Sequence, residues 1–249
     1  EQKVEERTRQ LHESVQRLQA VNRELESFNY SASHDLRTPL RGIEGFSALL
    51  LEQHAQQLDE QGKEYLRRIQ RATLHMSQLV SDLLAYSRLQ QMTDRIEPVD
   101  LRGCVERVLM PFQDELTARH GRVEIEVADG LCVRATDQGL SIVLRNLLDN
   151  ALKFTPAGQS PQIRITTRTE GAQVVVSVAD RGMGFDMKHH DRIFGMFQRL
   201  HRQDQIPGTG IGLALVHKAV DRMGGTIRAD SVPGDCLLYT SDAADERSS

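Results

Sequence analysis

The chain predicts an α-helical hairpin that doubles into a dimeric four-helix bundle, preceded by an N-terminal coiled coil and followed by an α/β sandwich domain. From Glu1 to Tyr86 apolar residues recur at helical spacing. The composition then changes across Gln90–Pro98. Beyond that point short β-branched runs alternate with helical stretches, the pattern of helices packed on a mostly antiparallel sheet.

A heptad fits from Glu1 to about Leu36. One seam position holds Val4, Leu11, Leu18, Leu25 and Ala32, and the other Thr8, Val15, Asn22, Asn29 and Leu36. Asparagines in a seam trade strength for register. A solvated single helix is the alternative, and spacing sustained over more than four heptads favours a parallel coiled coil. In this register His34 takes the outermost position of its heptad. After Pro39 one stripe carries Leu40, Ile43, Phe46 and Leu50, and a polar break runs from Gln53 to Gly62. Tyr65, Ile69, Ala72, Met76, Leu79, Leu83 and Tyr86 then follow a 4-3-4-3-4-3 spacing. Two such helices leave a stripe too apolar to face water, so a second copy is expected to cover it.

In the second domain Asp100 is placed to cap a helix reaching about Arg119. Strands are expected at Val123–Val127 and Cys132–Ala135, then a helix of about Gln138 to Phe154 capped by Asp137. Ile163–Arg168 and Val174–Ala179 read as a hairpin turning at Glu170-Gly171, and a last helix from about Ile211 to Met223 stops at Gly224-Gly225. The expected domains are a coiled-coil helix at 1–27, the hairpin at 28–92 and the sandwich at 93–235.

Composition narrows the chemistry. The 249 residues hold 31 Lys+Arg against 35 Asp+Glu, a net charge of −4, so no broad basic field points to nucleic acid or anionic membrane. Aromatics are 4% and Trp is absent, which argues against a base-stacking surface. Cys104, Cys132 and Cys236 are far apart and in no metal-ligand spacing, as in a reducing, cytoplasmic compartment. No apolar run approaches the ~18 residues of a membrane span, and no signal peptide is present. The first residue is not Met, so the chain is expected to be a fragment, and any sensor or membrane segment would then lie upstream.

Four motifs carry chemistry. Ser33-His34-Asp35-Leu36-Arg37-Thr38-Pro39-Leu40 sets a histidine, a carboxylate and a hydroxyl beside a proline that weakens its helix. Asn146, Asn150 and Lys153 stand at i, i+4 and i+7, so one helix face offers two amides and an ammonium to a Mg²⁺–triphosphate. Without a ligand the same pattern is only a polar helix face. A strand ends in Asp180-Arg181-Gly182-Met183-Gly184, where a carboxylate beside a bare backbone can bond an adenine amino group; ordinary turn punctuation is the alternative. Gly208-Thr209-Gly210-Ile211-Gly212 opens a helix and brings backbone N–H groups close to phosphate, in neither Walker nor Rossmann context. Between the last two lie Phe194-Gly195-Met196-Phe197 and a polar run, Gln198–Pro207, expected to act as a lid.

The order of these motifs resembles the sensor histidine kinases of two-component signalling. SHDLRTPL is similar to the phosphoacceptor box, NLLDNALKFT to the asparagine box, and DRGMGF and GTGIGLALV to the two glycine boxes. The wording FNYSASHDLRTPLRGIEGFSALL is closest to kinases linked to PAS, GAF or phytochrome sensors. The resemblance spans roughly Glu24 to Gly234 and makes the sandwich an ATP-binding domain of the GHKL type. It implies that His34 attacks the γ-phosphate of ATP, that Asp35 orients and deprotonates the ring, and that Thr38 places a hydrolytic water when the same site acts as a phosphatase. It further implies Asn150 as Mg²⁺ ligand, Asn146 and Lys153 near phosphate, Asp180 on adenine with Gly182 and Gly184, and Gly208, Gly210 and Gly212 around the phosphates. A homodimer passing phosphate to an Asp of a response-regulator receiver domain follows. Neighbouring helix residues do not face each other, so Asp35 reaches His34 only if the Pro39 defect bends the helix.

Other classes compete. A signalling scaffold that binds ATP poorly is argued against by Asn150, Asp180 and the glycine run. A topoisomerase- or chaperone-type ATPase is argued against by the histidine box. The chain departs from the family after Pro233-Gly234-Asp235, where Cys236–Glu246 resembles the translation of a transposon-adapter sequence used in DNA library preparation. Residues 236–249 are therefore expected to be a non-native tail, and the sheet to lack its last strand and leave an edge open.

Overall fold

The computed structural model describes residues 35–91, 95–171, 173–200, 206, 208–232 and 235–244, together with 6, 7, 9, 12, 16 and 17. Apart from Leu36, which is exposed, the expected coiled-coil seam lies outside the described residues, as does His34; the six isolated positions are helical and exposed. The chain divides into two compact units, Glu1–Arg88 and Leu89–Ser249.

In the first unit α1 is helical throughout residues 35–53, including Pro39, and α2 is Glu60–Gln91. α2 starts inside the expected polar break because Asp59 caps it, its Oδ1 accepting from Gly62 N at 2.7 Å. Leu40, Val80 and Leu84 are buried. Buried Ser47 and Thr73 satisfy their hydroxyls on Ile43 O at 2.6 Å and Ile69 O at 2.9 Å. The predicted stripes, by contrast, stay open: Ile43, Leu50, Tyr65, Ile69 and Met76 are exposed, and Phe46 is 71% exposed. An apolar face of this extent marks a contact surface.

The second unit is built on a five-stranded sheet of order β2-β4-β5-β7-β6. Its strands are β2 Arg122–Glu126, β4 Gln162–Glu170, β5 Gln173–Asp180, β6 Thr226–Val232 and β7 Asp235–Ala244. The β2–β4 pair is parallel and the others antiparallel. The helices α5 Asp137–Lys153 and α7 Gly212–Arg222 pack on each other, and α3 Leu101–Leu109 packs on α5. Ile163, Ile165, Val174, Val176 and Val178 of the sheet and Leu144, Leu148, Val216 and Val220 of the helices are buried in the core. The β4–β5 hairpin turns at Gly171, φ 62°.

Several expectations change. Asp100 does cap α3, accepting from Gly103 N at 3.2 Å, but the helix expected to reach Arg119 breaks into α3, a 3-10 turn at Met110–Phe112 and α4 Gln113–Ala118. Pro111 removes the N–H that a continuous helix needs there. The cap of α5 is Thr136, whose Oγ1 accepts from Gly139 N at 3.1 Å; Asp137 is its first-turn acid. An additional strand, β1, Glu97–Asp100, pairs antiparallel to β3, Cys132–Ala135, in a separate two-stranded ladder. The strand expected to be missing is present. β7 lies between β5 and β6, and the sheet edges are β2 and β6. Strand pairing uses main-chain groups, so a foreign-looking run can still complete a ladder.

Candidate functional site

α5 organises the site. Leu140, Val143, Leu144, Leu147, Leu148, Ala151 and Leu152 are buried, while Asn146, Asn150 and Lys153 are half-buried along the remaining face. Asn146 donates Nδ2 to Ile142 O at 2.8 Å. A methyl group on Gly212 would stand 2.9 Å from Asn146 Oδ1, and one on Gly208 would stand 3.0 Å from Lys153 Nζ. The second glycine run therefore lies along this face, with its backbone against the tips of the Asn146 and Lys153 side chains. Lys153 Nζ is also 3.5 Å from Asp149 Oδ2.

The first glycine box closes on the end of the same helix. Asp180 is buried at the end of β5, and its Oδ1 accepts from Gly182 N at 2.7 Å. Met183 N donates to Phe154 O at 3.0 Å, and a methyl on Gly182 would stand 3.0 Å from that oxygen. Gly184 has φ 61°, and a methyl there would overlap the carbonyl oxygen of Val232. Ser231 holds the turn from below, its Oγ accepting from Phe185 N at 2.8 Å.

Of the expected lid, residues 201–205 and 207 lie outside the described residues. Its flanks are tied down. Arg199 donates to Ile206 O at 2.6 Å and to Gly208 O. Gly210, φ 72°, packs so closely on Phe197 and Gln198 that a methyl would come within 2.8 Å of Gln198 O. The Phe194 ring lies 5.8 Å from that of His190 and 5.7 Å from that of His217, fixing the Phe-x-x-Phe run to α7.

Three sequence motifs thus meet around the C-terminal half of α5: Asn146, Asn150 and Lys153, then Asp180, Gly182 and Gly184, then Gly208, Gly210 and Gly212. Asp35 and Thr38 are exposed at the start of the described part of α1, in the other unit, and His34 lies outside the described residues. Cys104 sits beside Ser141 Oγ at 3.6 Å, and burial pushes its thiol up, away from nucleophilic use. Among the described residues no three His, Cys, Asp or Glu side chains converge, and no helix is long and apolar enough to cross a membrane.

Sequence reasoning missed Thr136, Arg199, Ser231 and Arg119. Thr136 carried a signal, since a threonine next to the expected cap is itself a preferred cap residue. Arg119 and Ser231 act across folded distance, and Arg199 across seven to nine residues along the chain, none with a local pattern.

Comparison with known proteins follows this geometry. The family described as His Kinase A (phospho-acceptor) domain matches residues 24–91. The family described as Histidine kinase-, DNA gyrase B-, and HSP90-like ATPase matches residues 135–241. Among curated relatives, the Phytochrome-like protein Cph1 of Synechocystis sp. is 31% identical over 91% of this chain and 30% of its own length. Cyanobacterial phytochrome B of Nostoc sp. is 35% identical over 88% of this chain and 29% of its own. The chain thus spans less than a third of the length of these relatives. The crystal structure of full-length ShkA in complex with AMPPNP aligns with a TM-score of 0.65 at 27% identity, covering 87% of this chain and 45% of that one. Histidine kinase AdeS of Acinetobacter baumannii aligns at 0.59 and 25% identity, over 84% and 97%. The chain belongs to the sensor histidine kinases and carries their catalytic core, a phospho-acceptor domain followed by an ATPase domain.

Proposed function

We propose that this chain transfers the γ-phosphate of ATP to His34 and then to an aspartate of a response-regulator receiver domain. The convergence of the Asn146/Asn150/Lys153 face, the Asp180 turn and the Gly208–Gly212 run around α5 carries this reading. The buried carboxylate of Asp180 accepts from Gly182 N through Oδ1, and a carboxylate accepts several hydrogen bonds at once, which suits it to the adenine amino group. The backbone of Gly208, Gly210 and Gly212 would lie against the phosphates at the positive end of α7, with the Lys153 ammonium beside them. Asn150 fits a Mg²⁺ ligand: it is half-buried, and its side chain makes no hydrogen bond among the described residues. Mg²⁺ would neutralise charge on the phosphates, and it needs few protein ligands.

A ring nitrogen of His34 forms the new N–P bond while the bond from Pγ to the ADP oxygen breaks, and Asp35 takes the ring proton. Thr38 would orient a water for the reverse, phosphatase direction. The open stripes of α1 and α2 support a homodimer whose four helices cover them. The working domains are 28–92 for phosphoacceptance and 93–235, completed by β7, for ATP, while residues 1–27, whose heptads predict a coiled coil, would relay a signal from an upstream sensor.

Incubation with γ-labelled ATP and Mg²⁺ tests this. The wild type should take up acid-labile, base-stable label, and His34→Gln should lose it by at least about 100-fold. Equal labelling of the two would overturn the assignment of His34.

A further inference from the structure

The end of α5 is closed from outside. The last carbonyls of a helix have no partner within it. Here a side chain reinforces that end: Arg119 donates Nη1 to Leu152 O at 2.8 Å, a carbonyl that Thr155 N reaches only at 3.4 Å, and Nη2 to Thr155 O, just past the helix, at 3.1 Å. The guanidinium follows α4 and is steered by Glu115, whose Oε1 is 3.3 Å from Nη1. The two residues between the bonded carbonyls are Lys153 and Phe154. Lys153 sets its ammonium against Gly208, on the phosphate side of the site. Phe154 O receives Met183 N–H, on the adenine side. The buried Thr155 hydroxyl bonds Ala151 O at 2.7 Å, so Thr155 is itself tied back to the helix.

We propose that Arg119 is a positioning residue for the nucleotide site: by bridging Leu152 O and Thr155 O it fixes the Lys153–Phe154 turn, so that the phosphate and adenine sides keep one spacing. This rests on the reading of the pocket as an ATP site. A planar fork suits two carbonyls at once, and its charge sits at the negative end of α5. A lysine reaches one carbonyl at a time. A methionine reaches none.

The test is calorimetric titration of the full chain with Mg²⁺–ADP at 20 °C for wild type, Arg119→Met, Arg119→Lys and Asp180→Asn, with circular dichroism to follow fold and melting. Arg119→Met should bind ADP about 10-fold more weakly with native helix content, and Arg119→Lys should recover part of that loss. A purely structural arginine would lower the melting temperature and leave ADP affinity at 20 °C unchanged, which would overturn the proposal. Should Arg119→Met fail to fold, Arg119→Lys decides: binding about 3-fold weaker in folded protein supports the role, and wild-type affinity overturns it. Wild-type affinity in Asp180→Asn would instead overturn the nucleotide-site reading. Loss there with full affinity in both Arg119 variants would overturn Arg119 alone.

Discussion

Gly184→Ala should destabilise the second unit by roughly 2–4 kcal/mol, while Gly171→Ala costs only about 1 kcal/mol. Both glycines have positive φ, 61° and 62°. Their surroundings differ. Around Gly171 a methyl group would meet nothing within 4 Å, so the cost there is the left-handed backbone alone. At Gly184 the methyl would overlap Val232 O and stand 3.0 Å from Ser231 Oγ. A backbone carbonyl of a sheet strand cannot rotate aside as a flexible side chain can. Relief would pull the Asp180–Gly184 turn off β6 and break the bond from Phe185 N to Ser231. Denaturant midpoints of the two variants check this; equal losses would show that the close approach to β6 carries no energy.

Asp180→Asn should leave stability within about 1 kcal/mol of wild type and weaken ATP binding by roughly 30- to 100-fold. The amide keeps an oxygen that accepts from Gly182 N, so the turn that holds Asp180 survives. Its other end becomes an NH₂, a donor facing the donor amino group of adenine. A site built to accept a hydrogen bond then presents an unpaired, buried polar group. Titration with ATP and, in parallel, with GTP checks the role. Similar weakening of both nucleotides would show that Asp180 supports the fold of the pocket and does not read the base.

The parts of the fold legible from sequence are those with a long period. α2, α5 and α7 carry apolar stripes that only a helix aligns, and the β4–β5 hairpin has β-branched runs around Glu170-Gly171. β1 is illegible because its four residues include Pro98 and bury one side chain only, though a proline is tolerated in a strand at the edge of a ladder. β7 is illegible because Cys236–Glu246 reads as adapter translation, whereas its pairing with β5 and β6 is made by main chain. The site divides in the same way. Asn146, Asn150 and Lys153 are legible because helical spacing puts them on one face, and the glycines because they recur at alternate positions in two short runs. Arg119 and Ser231 act on carbonyls and an amide that folding alone brings near. Arg119 is 33 residues from Leu152, and Ser231 is 46 from Phe185.

One titration reaches the heart of the nucleotide assignment. Backbone amide spectra of the full chain, recorded as Mg²⁺ and a non-hydrolysable ATP analogue are added, should shift at Asn146, Asn150, Lys153, Asp180–Gly184 and Gly208–Gly212 together, with one saturation curve. Saturable binding that leaves the α5 amides unmoved, or that moves only one of the three motifs, would contradict a single site assembled around that helix.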